Sequence, residues 1–199
     1  MKKYLLPLIV ILTSQSIFCQ DTDRKFTIQT SPALFFFSIT SIVNGDEGLQ
    51  YIFDLEGQYK ISSNMNLSLT LALCDYDYYD ENIFMFNIKP MFIWRPFKTG
   101  LSGFYLGFYS GIGLMSYESK GSEYDDGFFT EIGFGLNIGY KWIFEHGITM
   151  QVGGGIGTSF SIPKMPFGND YILLRPDGRI VFMDSIDFQI IGLKLGWSF

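Results

Sequence analysis

The chain is poor in charge: 17% of its 199 residues are Asp, Glu, Lys or Arg, where a soluble domain usually carries about 25%. No apolar run reaches the ~20 residues that a transmembrane helix needs, so helical spans are excluded. His146 is the only histidine. There are two cysteines, Cys19 and Cys74. If Cys19 leaves with a leader, Cys74 stands alone and no internal disulfide can staple the fold. The net charge of −6 argues against a nucleic-acid partner.

Aromatic residues and glycine are abundant instead, at 18% and 22 residues. Secretion without helical spans leaves one membrane solution, a closed β-barrel, which satisfies every backbone hydrogen bond without a helix. Secretion is read from the N-terminus. Lys2 and Lys3 precede the apolar run Tyr4–Leu12, then the polar stretch Thr13–Ser16 and Ile17-Phe-Cys-Gln20. These are the three regions of a signal peptide. We expect a leader of residues 1–19 and a mature domain of 20–199, with cleavage after Cys19 or, alternatively, after Ser16. A lipidated Cys19 is disfavoured by bulky Phe18, where a lipoprotein signal wants a small residue.

The mature chain alternates with period two, the strand period. Eight strands are expected, at about Lys25–Phe37, Leu49–Ile61, Met65–Cys74, Ile83–Arg95, Gly103–Tyr117, Phe128–Phe144, Gly147–Phe160 and Asp187–Phe199. Leu67, Leu69, Leu71 and Leu73 oppose Asn66, Ser68, Thr70 and Ala72. Ile132, Phe134, Leu136, Ile138, Tyr140 and Trp142 oppose Glu131, Gly133, Gly135, Asn137, Gly139 and Lys141. Connections after the second, fourth and sixth strands are short (62–64, 96–102 and 145–146), and the others are longer. Short periplasmic turns and long outer loops are a barrel signature. Arg175-Pro-Asp-Gly178 between short apolar runs suggests an outer hairpin whose arms are too short to span, so the count stays at eight.

A lipocalin-type barrel would also alternate, with its apolar face inward. The glycine-rich face decides against it. Glycine weakens a water-facing strand, whereas inside a narrow eight-stranded ring it makes room for larger neighbours, here Tyr105, Tyr109, Lys141 and Arg95. Tyr59, Trp94, Phe104, Trp142, Trp197 and Phe199 cluster at the expected periplasmic ends, as an interfacial girdle does. The final strand is expected to place Ile191, Leu193, Leu195, Trp197 and Phe199 on one face and Gly192, Lys194, Gly196 and Ser198 on the other.

By this pattern the whole mature chain resembles the small OmpA/OmpX-type outer-membrane barrels. The resemblance implies an all-β, eight-stranded antiparallel up-and-down barrel in the bacterial outer membrane. It also implies contact with outer-membrane lipid, and delivery by the assembly machinery through a C-terminal signal at Trp197 and Phe199. No fused peptidoglycan-binding domain is expected after Phe199.

Charges expected in the interior are Asp54, Glu56, Lys89, Glu131, Lys141 and Lys194, with Lys60 and Arg95 near the periplasmic end. They read either as a gated ion path or as a paired plug. The plug is favoured because isolated charges in so narrow a space are costly. Asp75, Asp77, Asp80 and Glu81 form an acidic run that could hold a divalent cation through oxygen ligands or contact an extracellular partner. Such runs usually only face water, and Tyr76, Tyr78 and Tyr79 beside them could anchor a partner. A lipid A-deacylating barrel needs a Ser/His/acid set, but His146 falls in a periplasmic turn with no His-x-Ser pattern. Gly153-Gly-Gly-Ile-Gly157 precedes no helix, so it is no phosphate loop. No catalytic residue, cofactor or metal is assigned. The expected role is non-enzymatic: structural, surface interaction or adhesion through outer loops. The alternatives are a lipid-modifying enzyme and a small-solute pore.

Overall fold

The computed structural model describes residues 24–32, 48–78, 81–97, 100–119, 127–163, 172–174, 180–182 and 186–199. The expected leader and residues 33–37 of the first expected strand lie outside them. The described strands are β1 Phe26–Thr30, β2 Gly48–Lys60, β3 Met65–Tyr78, β4 Glu81–Trp94, β5 Gly103–Ser119, β6 Gly127–Ile143, β7 Ile148–Ile162, β8 Ile172–Leu174, β9 Ile180–Phe182 and β10 Ile186–Ser198.

Strands β1 to β7 and β10 are antiparallel neighbours in sequence order, and β10 pairs back onto β1. Eight up-and-down strands therefore close in a ring, and closure removes the free edges that an open sheet presents. The closing seam is short. Thr27 pairs with Ser198 and Thr30 with Leu195, and the Lys25 and Phe199 amides donate at 2.8 Å to the Phe199 and Phe26 carbonyls. The expected Pro-Asp-Gly hairpin is present as β8 and β9, with β9 laid against residues 186–188 of β10. It adds two short strands to the sheet without entering the ring.

Three connections, 61–64, 95–102 and 144–147, lie at one end together with Lys25 and Phe199. We call this the turn end, and the opposite one the loop end. Main-chain bonds tie the turns to one another: the Arg95 amide donates to the Asn64 carbonyl at 2.8 Å and Gly100 to Ser63 at 2.9 Å. The β6–β7 turn needs left-handed backbone at His146 (φ 65°) and Gly147 (φ 98°). Any β-carbon at Gly147 would run into the Arg24 guanidinium, the Ser198 carbonyl and the Trp197 indole nitrogen. The turn accordingly carries glycine there.

One expectation changes. β3 and β4 run on to Tyr78 and from Glu81, so only residues 79–80 connect them. The cross-strand pairs Asp77–Asn82 and Tyr78–Glu81 turn the expected loop into the tip of a hairpin. Tyr and Ile at 76, 78 and 83 favour strand and outweigh the acidic residues between them.

The two faces divide by polarity. Leu67, Leu69 and Leu71 are exposed, whereas Asn66, Ser68, Thr70 and Ala72 are buried. The same division runs through Phe53, Leu55, Ile88, Phe92, Leu106, Phe108, Ile112, Leu136, Ile138 and Ile156, all exposed, against Asp54, Glu56, Asn87, Lys89, Tyr105, Tyr109, Glu131, Asn137, Lys141 and Gln151, all buried. This ring is inverted relative to a soluble domain, with its apolar face outward.

Candidate functional site

The inward positions stack in layers. Toward the loop end, one inward position below the buried pair Ile83–Tyr117, is an apolar row in one register: Cys74 beside Met85, Met85 beside Met115, and Met115 beside Phe129, all buried. Glu131 lies one inward position further toward the turn end. Below it a polar network fills the ring.

Lys194 is the centre of this network. Its Nζ donates to Glu56 Oε2 at 2.6 Å and lies 3.0 Å from Asp54 Oδ2. The second Glu56 oxygen accepts from Ser68 Oγ at 2.6 Å and from Gln58 Nε2 at 2.8 Å. The Ser31 amide donates to Asp54 Oδ1 at 2.6 Å, and the Ser31 hydroxyl donates to Oδ2 at 2.9 Å. The position explains the geometry. β1 ends at Thr30, and the ion pairs reach from β10 to β2 across that end, so side chains staple the ring where the backbone ladder is shortest. Charge-assisted hydrogen bonds are the strong ones, and a buried carboxylate so satisfied escapes much of its desolvation penalty.

The network continues toward the turn end through amides. Gln58 accepts from Lys141 Nζ at 2.8 Å. Gln151 Oε1 accepts from Gln58 at 3.0 Å and from Gln29 at 3.1 Å. Gln151 Nε2 donates to the Tyr105 hydroxyl at 3.1 Å. Arg95 lies 5.3 Å from the centre of the Tyr105 ring and donates to the Ser102 and Gly103 carbonyls at 3.2 and 2.8 Å. One connected set of contacts thus runs from Asp54 at mid-height to the turn at Gly103.

Lys89 faces the same space as Glu56 and Lys194, with its ammonium 5.2 Å from the centre of the Tyr109 ring. The void these groups leave is about 10 Å³, room for roughly one water. Of the six interior charges expected from the sequence, all six are buried. Asp54, Glu56 and Lys194 meet directly, Lys141 joins through Gln58, Lys89 lines the same void, and Glu131 sits closer to the loop end. Sequence reasoning did not name Gln29, Ser31, Gln58, Ser68 and Gln151 as partners. Their signal was present, since each is a polar residue at an inward position of the alternation.

The glycines have a specific role opposite β5. A β-carbon on Gly153 or Gly139 would meet the Tyr105 hydroxyl, and one on Gly157 or Gly135 would meet the Tyr109 hydroxyl. The two tyrosines reach to β6 and β7 and end on bare backbone, which only glycine offers. Gly157→Ala is therefore expected to cost about 1–3 kcal/mol by overpacking. Tyr109→Phe should recover part of that loss in the double variant, as contacting residues couple. Chemical-denaturant titrations of the four proteins check this.

The acidic run separates. Asp75 and Asp77 lie in β3 and Glu81 in β4, while Asp80 falls outside the described residues. Among the described residues no group of three or more His, Cys, Asp or Glu side chains is placed to hold a metal ion. His146 is exposed in its turn, at the end away from the apolar row. Of the six aromatics expected at the turn end, Tyr59, Trp94, Trp197 and Phe199 are exposed, whereas Phe104 and Trp142 are half-buried. Comparisons with protein-family models, with characterised proteins and with solved structures found no match to this chain.

Proposed function

We propose that the chain is a bacterial outer-membrane β-barrel with a sealed interior. Its role is structural, or one of surface interaction or adhesion, carried out at the loop end without catalysis. The observation that carries this reading is the inverted polarity of the ring. Soluble monomers rarely expose contiguous apolar patches above a few hundred Å², yet apolar side chains cover the outside of every ring strand described. Hydrocarbon is the solvent that suits this surface. A membrane strand needs ~9–11 residues, and β2 to β7 and β10 have 13 to 17. In this reading residues 1–19 are the export signal, Trp197 and Phe199 address the assembly machinery, the turn end faces the periplasm and the loop end faces outward.

The filled interior supports a plug over a pore. Among the described residues, the void beside the Lys194 ion pairs is about 10 Å³, room for roughly one water and not for a water column at that height. Planar-bilayer recordings on the unmodified protein are expected to be silent, and steady large conductance would overturn the plug. Orientation is tested by epitope tags. Tags at Gly45, Tyr78, Ser122 and Gly168 should be reached on intact cells, and tags at Ser63 or His146 should not. Labelling at Ser63 without permeabilisation would overturn the topology. Deleting each outer connection in whole-cell binding screens then finds the one that contacts a ligand.

A further inference from the structure

Three sulfurs lie side by side on the inner wall. Cys74 of β3 is the register partner of Met85 of β4, and Met85 is the partner of Met115 of β5. All three are buried, with exposures of 0, 3 and 2%. Side chains paired across adjacent strands have their β-carbons about 4.5–5.5 Å apart, and the inside of a closed sheet is concave, which draws Cys74 and Met115 toward Met85. A thioether on three rotatable bonds adapts its sulfur position to what it meets. The row beneath leaves room for such movement. Ala72 follows Cys74 on the same face of β3, and Gly113 follows Met115 on β5.

The make-up of this row differs from the rest of the interior. The layers nearer the turn end are joined by carboxylates, amides and hydroxyls, as between Glu56, Ser68 and Gln58. In the row itself Cys74, Met85, Met115 and Phe129 offer no oxygen or nitrogen side-chain donor. An apolar layer needs only hydrocarbon, which this chain supplies freely as Leu, Ile and Phe on its outer face. Here three adjacent positions carry sulfur instead. Among the described residues Cys74 forms no disulfide.

We infer that Cys74, Met85 and Met115 form a binding site for a soft monovalent metal ion, Cu(I). Thiolate and thioether sulfurs select Cu(I) over harder ions. Charge points the same way. Cys74 binds as the thiolate, and its proton goes to solvent. Thiolate and monovalent cation then sum to zero, so the loaded row stays neutral. A divalent ion would leave an uncompensated positive charge beside Phe129 and the methionines, which is costly. The inference stands on register, burial and donor chemistry, and does not depend on what surrounds the ring or what the loop end binds.

Titration with Cu(I), in the absence of oxygen, tests it on the folded full-length chain carrying Cys19→Ser, in which Cys74 is the only thiol. One Cu(I) per chain is expected to be retained against a chromogenic Cu(I) chelator, with a thiolate-to-copper absorption band in the ultraviolet. Met85→Leu and Met115→Leu nearly conserve volume and should keep the fold, which circular dichroism checks. Each should weaken retention at least about tenfold, since even an outer-shell partner of a metal is worth that much. Met91→Leu, three inward positions nearer the turn end on β4, should leave retention unchanged. No retention by the folded protein would overturn the inference and make the sulfurs packing groups. Equal retention in the Met85→Leu and Met115→Leu proteins would also overturn it, as an adduct on the thiol alone. Retention of Zn(II) as tight as that of Cu(I) would do the same.

Discussion

Lys194→Met should destabilise the folded chain by about 3–5 kcal/mol, the range for breaking a buried ion pair by removing one partner. The substitution keeps much of the side-chain volume and deletes the charge. It leaves Asp54 and Glu56, both 1% exposed, without the ammonium that lies 3.0 and 2.6 Å from them. Two carboxylates then share a site with like charge. Glu56→Gln should cost clearly less, because Lys194 keeps Asp54 and the new amide still meets Ser68. The order of the two effects matters more than either value. If the network were decoration, both would fall within about 0.5 kcal/mol of the unmodified protein, as surface changes usually do. Lys194→Met combined with Asp54→Asn and Glu56→Gln should be less costly than the sum of the separate losses, since the partners act together. Reversible denaturant titration in lipid vesicles measures all of them. In the same variants, leakage appearing in bilayer recordings only after Lys194 is lost would tie the sealed interior to this ion pair.

The ring was legible in the sequence because period-two alternation specifies a strand face without reference to its neighbours. Leu67 to Leu73 and Ile132 to Trp142 fall on the expected faces in the structure, and glycine on the opposite face correctly pointed to a crowded interior. Pairing within that interior was less accessible. Asp54, Glu56 and Lys194 are separated by up to 140 positions in sequence, and only ring closure through β1 brings β10 beside β2. The amide partners carry no charge pattern, so Gln58 and Gln151 looked like ordinary polar fillers. A bulge in β10, where Gln189 pairs with Gly155 and the next pair is Gly192 with Gly153, was also hidden. Strict alternation read from Phe199 backward runs straight through Gln189–Gly192, and a one-residue slip shows only when the partner strand is present. The acidic run misled for a different reason. Aspartate between tyrosines reads as loop by charge and as strand by its β-forming neighbours, and pairing between β3 and β4 settles it as strand.

Leu136→Arg gives the sharpest separation between a bilayer and water around the ring. Leu136 is 60% exposed, near the middle of β6. In water an exposed leucine exchanged for arginine changes stability by about 0.5 kcal/mol or less. At the midplane of a bilayer the same change costs about 2–4 kcal/mol, because the guanidinium must be desolvated or drag water and headgroups inward. The neighbouring Asn137→Ser tests the other face. Asn137 is buried and borders the interior void, so shortening it should cost about 1 kcal/mol, the usual worth of a hydrogen bond. Folding free energies of the two variants in lipid vesicles are expected to differ by at least about 1 kcal/mol, with arginine the worse. A Leu136→Arg protein as stable as the unmodified chain would mean that no hydrocarbon surrounds β6, and the membrane reading would fall with it.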